Sequence, residues 1–167
     1  MITRELGIKK QLIQITKKGV EILSYEHSDY KQIFDLTDRI FFKGKVVSGL
    51  GEGRYYTEQD YYKKQFNKKI GFYPYPGTLN IEIEYIEKNK LRHLRKYDSI
   101  VIEGFEDKNR TFGGVRCFKA EVGKIPSALV LPLRSHYSNI LEFISKYYLR
   151  DKLKLKDGDT VETIIYL

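Results

Sequence analysis

The chain has 167 residues, 41% hydrophobic and 31% charged, which suits one globular domain with a short appendage. Its formal charge of +8 lies mainly in residues 40–167 and favours a polyanionic partner, either a nucleoside triphosphate or a nucleic acid. A single cysteine, Cys117, excludes an intrachain disulfide and a cysteine-based metal site, and no apolar run reaches the length of a membrane span.

The N-terminus lacks the apolar core of a signal peptide, so a cytoplasmic protein with no membrane partner is expected. Residues 11–15 alternate like a short strand. Ile22, Leu23, Tyr30, Ile33 and Phe34 then fit one face of a helix. The passage Ile15-Thr16-Lys17-Lys18-Gly19-Val20-Glu21-Ile22-Leu23 resembles the last wing and closing helix of winged-helix DNA-binding domains. Residues 1–36 are therefore expected to form an N-terminal arm, a partial winged-helix-like remnant, with residues 37–167 as the main domain. The arm's charge is nearly balanced and no recognition helix precedes it, so a DNA-binding role for the arm alone is not expected.

From residue 40 the pattern turns to strands. Residues 40–48, 81–86, 99–102, 112–118, 128–131 and 161–167 read as short strands punctuated by Gly, Pro and Asp. That pattern predicts a mainly β fold, a closed barrel of six or so strands. Two short helices interrupt it. One spans residues 57–69. The other spans residues 140–150, where Ile140, Leu141, Ile144, Tyr147 and Tyr148 recur at helical spacing. Fourteen Tyr and nine Phe offer flat rings for a planar ligand, with core packing as the default role for most of them.

Two segments carry the chemistry. Gly49, Gly51 and Gly53 alternate after the first barrel strand, and Arg54 follows. Glycine removes the Cβ that keeps phosphate away from backbone N–H groups, and arginine pairs with phosphate oxygens through a planar fork. Neither a G-x-x-x-x-G-K-[ST] loop nor a G-x-G-x-x-G opening a βαβ unit is present, which disfavours P-loop and Rossmann sites. Downstream, Pro76-Gly77 delivers Thr78 and Asn80, two residues apart and therefore on one side of an extended chain. A hydroxyl and a carboxamide oxygen are hard neutral ligands that suit Mg²⁺. The competing reading is that Thr78 and Asn80 only cap the turn and strand.

The runs Gly44-Lys45-Val46-Val47-Ser48-Gly49-Leu50-Gly51-Glu52-Gly53-Arg54-Tyr55 and Gly71-Phe72-Tyr73-Pro74-Tyr75-Pro76-Gly77-Thr78-Leu79-Asn80 resemble those of the archaeal CTP-dependent riboflavin kinases. The resemblance continues through Arg134-Ser135-His136-Tyr137, Glu142, Tyr147-Tyr148-Leu149-Arg150 and Leu155-Lys156-Asp157-Gly158-Asp159, and covers roughly residues 40–167. It implies a six-stranded cradle-loop (RIFT-like) β-barrel that converts riboflavin and CTP to FMN and CDP. It implies that Gly49, Leu50, Gly51, Glu52, Gly53 and Arg54 hold the nucleotide and that Tyr147, Tyr148, Leu149 and Arg150 close over it. Thr78 and Asn80 would bind Mg²⁺, and Ser135 and Glu142 would contact the flavin.

Asn139-x-x-Glu142 also matches a helix capping box, so Glu142 is equally a cap and a flavin contact. No general base stands out. Glu142 is the sole candidate. Two rival classes remain: a flavin- or nucleotide-sensing transcription regulator without turnover, and an OB-like nucleic-acid-binding barrel.

Overall fold

The computed structural model describes residues 2–6, 11–34, 38–49, 51–107, 110–133 and 139–167. Leu50 and Ser135 lie outside the described residues. In chain order the elements are β1 (Ile2–Leu6), β2 (Gln11–Ile15), α1 (Lys17–Phe34), β3 (Arg39–Val47), α2 (Glu52–Thr57) and α3 (Asp60–Ile70). Next come β4 (Leu79–Ile83), a 3₁₀ turn (Tyr85–Glu87), α4 (Lys88–Leu94), β5 (Ile100–Ile102), β6 (Phe105–Asp107), β7 (Arg110–Phe112) and β8 (Val115–Val122). The chain finishes with β9 (Ile125–Pro132), β10 (Ile140–Ile144), α5 (Leu149–Lys152) and β11 (Thr160–Tyr166).

Six of these strands close into an antiparallel barrel in the order β11-β3-β4-β10-β9-β8, with β8 pairing back onto β11. The expected six-stranded closed barrel is therefore present. Closure follows from alternation. Along β3 every second residue is buried, so Phe42, Gly44 and Val46 face inward. Leu79, Ile81, Leu129, Leu141, Phe143 and Ile165 fill the same interior. Strand β5 extends the sheet from β8 outside the ring.

A second apolar cluster lies on the outer wall. Helix α3 lays Tyr62 and Phe66, one turn apart, against Ile102, Cys117, Val130 and Ile144. The Tyr62 hydroxyl donates to the Gly113 carbonyl at 2.6 Å. Helix α3 stops at Gly71, whose φ of 96° lets its N–H return to the Phe66 and Asn67 carbonyls. The β6–β7 hairpin adds Phe105 and Phe112, stacked at 4.4 Å, and Tyr55 of α2 stacks on Phe112 at 5.8 Å. Much of the aromatic content is thus spent on packing, as its default role anticipated.

At the N-terminus β1 and β2 form an antiparallel hairpin, and Thr16 caps α1 by accepting the Gly19 N–H at 3.1 Å. The strand over 11–15 and the helix after it match the sequence pattern. Helix α1 leans on the barrel through α4. The Tyr25 ring stacks on His93 at 5.7 Å, and the Tyr85 hydroxyl donates to the Glu21 carboxylate.

Three local expectations need correction. Residues 140–150 are not one helix. They form β10 and then the short α5, because Leu141 and Phe143 enter the barrel while Ile144 packs in the outer cluster. With apolar Ile140 and Ile144 on the outer face beside Leu141 and Phe143 inside, the strand's period of two is broken and the run mimics helical spacing. Asn139 therefore caps no helix: its amide donates to Glu82 across the sheet at 2.8 Å. The strand over 81–86 ends at Ile83, where the chain turns into the 3₁₀ turn and α4. The helix expected over 57–69 is α3, which starts only at Asp60, because Thr57 ends the separate α2 and Gln59 between them is extended.

Candidate active site

Strand β3 hands the chain to the glycine segment, and β4 carries Thr78-x-Asn80 beside it. Val47, Asn80, Glu142 and Val130 stand in one cross-strand row over β3, β4, β10 and β9. Leu79, Ile81, Leu141 and Phe143 point into the barrel, so by alternation Asn80 and Glu142 share its outer face. Leu79 turns to the core as its spacing predicts.

The glycine segment closes over that face. A Cβ on Gly49 would stand 2.0 Å from Asn80 Nδ2, and one on Gly53 would stand 2.5 Å from Thr78 Oγ1. Only backbone without a side chain fits at these approaches. Gly51 takes φ 83° and opens α2, so Glu52, Gly53 and Arg54 belong to the helix's first turn rather than to an extended loop. Thr57 locks the arrangement. Its hydroxyl donates to the Gly53 carbonyl at 2.9 Å and accepts the Gly77 N–H at 2.8 Å, joining α2 to the Pro-Gly turn. Thr57 carries no motif, and its role is visible only once its two partners are in place.

Thr78 Oγ1 donates to Asn80 Oδ1 at 3.3 Å. An octahedral Mg²⁺ with bonds of about 2.1 Å sets adjacent ligands about 3 Å apart, so the pair fits two neighbouring positions on such an ion. Asn80 is only 8% exposed. Beside it, burial and then the nearby Glu52 carboxylate push the Glu142 carboxyl above the usual range. Among the described residues no group of three or more His, Cys, Asp or Glu side chains could hold a metal by itself.

A pocket opens next to this face, lined by Tyr75, Pro76, Thr78, Phe143, Ser145 and Tyr148 among others. Tyr75 and Tyr148 stack at 5.0 Å and both are partly exposed. The segment 147–150 thus shares a pocket with Thr78. Its side chains divide the work unevenly. Leu149 is 4% exposed and belongs to the barrel core. Tyr147 stays exposed with the Lys146 and Lys152 ammonium groups over its ring. The Arg150 guanidinium is committed to Asp157 at 2.7 Å and to the Val47 carbonyl at 2.9 Å. Arg54 is exposed and pairs with Glu58 one helical turn on, at 3.2 Å. The structure thus brings Gly49, Glu52, Gly53, Thr78, Asn80 and Glu142 to one face, with 147–150 at its edge; Gly51 and Arg54 lie in the same segment, Arg54 with its side chain in solvent against Glu58.

Residues 46–165 match the family model CTP-dep_RFKase, described as "Domain of unknown function DUF120". The chain is 49% identical to a riboflavin kinase of Archaeoglobus fulgidus over 168 residues, which cover all of this chain and 72% of that relative. A riboflavin kinase of Thermoplasma acidophilum is 40% identical over 165 residues, 99% of this chain and 75% of the relative. One from Methanosarcina barkeri is 46% identical over 164 residues, 96% and 72% of the two chains.

Proposed function

The chain belongs to the archaeal CTP-dependent riboflavin kinase family, and from that premise we propose that it phosphorylates riboflavin with CTP as donor, giving FMN and CDP. The observation that supports this reading is the fit of Gly49 against the Asn80 amide and of Gly53 against the Thr78 hydroxyl, which sets bare backbone beside the two side chains proposed to hold the metal. Phosphoryl transfer asks chiefly for alignment and for charge stabilisation on the moving group. Backbone N–H groups of the glycine segment and the Arg54 fork hold the triphosphate. Thr78 and Asn80 hold Mg²⁺, which neutralises charge on the phosphates when bound.

The terminal ribityl hydroxyl attacks the γ-phosphorus, and the bond from that phosphorus to the β–γ bridging oxygen breaks. The CDP oxygen takes the electron pair, and the hydroxyl gives up its proton. Glu142 stands in the row beside Asn80 with a carboxyl whose proton affinity is raised. We assign it to the flavin side of the face, as the candidate to orient the ribityl hydroxyl and receive that proton. Ser135 is the second flavin contact in this proposal. Residues 147–150 close the nucleotide side. Residues 37–167 act as the kinase domain in the cytoplasm, and residues 1–36 are an arm in the manner of a closing wing and helix. No helix among the described residues is long and apolar enough to cross a membrane.

The test is a donor panel of CTP, UTP, ATP and GTP with riboflavin and Mg²⁺, read by chromatography for FMN. FMN formed preferentially from CTP is expected. Binding of flavin or nucleotide without any FMN would replace the kinase with a sensor. Strong salt-dependent affinity for single-stranded nucleic acid without turnover would replace it with a binding barrel.

A further inference from the structure

The turn between α5 and β11 reaches back to the strand that delivers the glycine segment. There the Asp157 carboxylate holds two partners at once. Its Oδ1 accepts from Arg150 Nη2 at 2.7 Å, and its Oδ2 accepts from Ser48 Oγ at 2.5 Å. Arg150 Nη2 also donates to the Val47 carbonyl at 2.9 Å. The Ser48 hydroxyl, and then Arg150, hold the Asp157 carboxyl below the usual carboxylate range.

The backbone around it is tied down as well. Val46 N–H donates to the Asp159 carbonyl and Gly158 N–H to the Val46 carbonyl, both at 2.8 Å. Lys156 N–H donates to Asp159 Oδ2 at 2.7 Å, and Gly158 turns at φ 90°. Leu155 N–H donates to the Arg150 carbonyl at 2.8 Å. One turn therefore grips the end of β3 on one side and α5 on the other.

Those two places are the two halves of the donor cradle in the kinase reading, on which this inference rests. Ser48 precedes Gly49, and Arg150 ends the 147–150 segment. We propose that Asp157 is a positioning residue for the nucleotide donor: it fixes Ser48 and Arg150 to one another, sets the separation of the two cradle segments, and touches no substrate. It follows that the Arg150 side chain serves as a brace inside the protein rather than as a phosphate ligand. An isolated exposed ion pair contributes little. Here Arg150 is mostly buried and the carboxylate is shared by two segments, so the bonds act as a network.

The experiment measures initial rates on the full chain, varying CTP at saturating riboflavin and then the reverse, for wild type, Asp157→Asn, Ser48→Ala and the double variant. Thermal melting of each is recorded. Asp157→Asn is expected to raise the CTP KM on the order of tenfold while the riboflavin KM and kcat move far less. Ser48→Ala removes a single bond, keeps the ion pair and raises the CTP KM by a smaller factor. The double variant is expected to resemble Asp157→Asn, because both changes cut one network.

An unchanged CTP KM in an active Asp157→Asn overturns the proposal and leaves the kinase reading intact. So does an equal loss across kcat and both KM values in step with a lowered melting temperature, which marks a general loss of fold. If Asp157→Asn does not fold, Ser48→Ala decides alone, and an unchanged CTP KM there overturns the proposal. A wild type that makes no FMN from CTP removes the kinase reading and this inference with it.

Discussion

Gly49 lies so close to Asn80 that a Cβ on the glycine would stand 2.0 Å from Asn80 Nδ2. No left-handed φ is involved at Gly49. Space alone excludes a side chain there. The amide it would strike is 8% exposed and has little room to retreat. Gly49→Ala is therefore expected to swing Asn80 away from Thr78 and lower FMN formation on the order of 10²-fold, the usual consequence of ångström-scale misplacement. Melting temperature should fall as well, by the overpacking cost of about 1–3 kcal/mol, so turnover is compared at a temperature where the variant is fully folded. Near-normal turnover in a folded Gly49→Ala protein would remove this contact from the mechanism.

Gly53 gives the same test with an opposing stability term. It sits in the first turn of α2, where alanine is a better helix former by about 0.5–1 kcal/mol. Its Cβ would meet Thr78 Oγ1 at 2.5 Å and Thr78 Cγ2 at 2.9 Å. Propensity alone predicts a harmless or stabilising change. The geometry predicts a displaced hydroxyl and lost activity. Turnover and thermal melting of Gly53→Ala, measured together, separate the two. Full activity with a raised melting temperature would mean that Thr78 does not need its observed position.

Thr78→Ala and Asn80→Ala take away one proposed Mg²⁺ ligand each. Each is expected to lower kcat on the order of 10²–10³-fold and to raise the Mg²⁺ concentration needed for half-maximal rate. The shift in Mg²⁺ dependence is the discriminating reading, since Asn80 is also a buried polar group whose loss affects packing. An Asn80→Ala protein that makes FMN normally at saturating Mg²⁺ would dismiss the clamp.

The parts of the site that could be read from sequence are those whose physics is local. Alternating glycines announce bare backbone, and residues 78 and 80 share a side because extended chain has a period of two. Strand alternation likewise revealed β3 and the Leu79 side of β4. What stayed hidden depends on contacts distant in sequence. Strand β10 is flanked by β4 and β9, and its outward-facing Ile140 and Ile144 are apolar beside the inward Leu141 and Phe143, so its pattern lost the period that marks a strand. The Ser48–Asp157 bond joins residues 109 apart, and Asp157 alone reads as an ordinary turn residue. Helix α4 buries Leu91, His93 and Leu94 in a lysine- and arginine-rich stretch whose apolar face is only a few residues wide. Such a short stripe gives periodicity too little to work on.

Glu142 ties stability to function through pH. Burial and the Glu52 carboxylate raise its carboxyl above the reference value of 4.5. A carboxyl raised in the folded state favours folding while protonated. That contribution is complete below the unfolded value and is lost as pH rises through the folded value. Ionising Glu142 in the folded protein places a charge in a half-buried position beside a second carboxylate. Glu142→Gln keeps the shape without the charge. Relative to wild type, its melting temperature should rise as pH climbs above the unfolded reference of 4.5, while FMN formation falls because the flavin-side carboxylate is gone. Glu52→Gln removes the second cause and should narrow the wild-type protein's own decline across that range. Parallel melting curves for wild type and Glu142→Gln at every pH would show that Glu142 titrates as if fully solvated. That result would deny the crowded carboxylate pair on which its role at the ribityl hydroxyl depends.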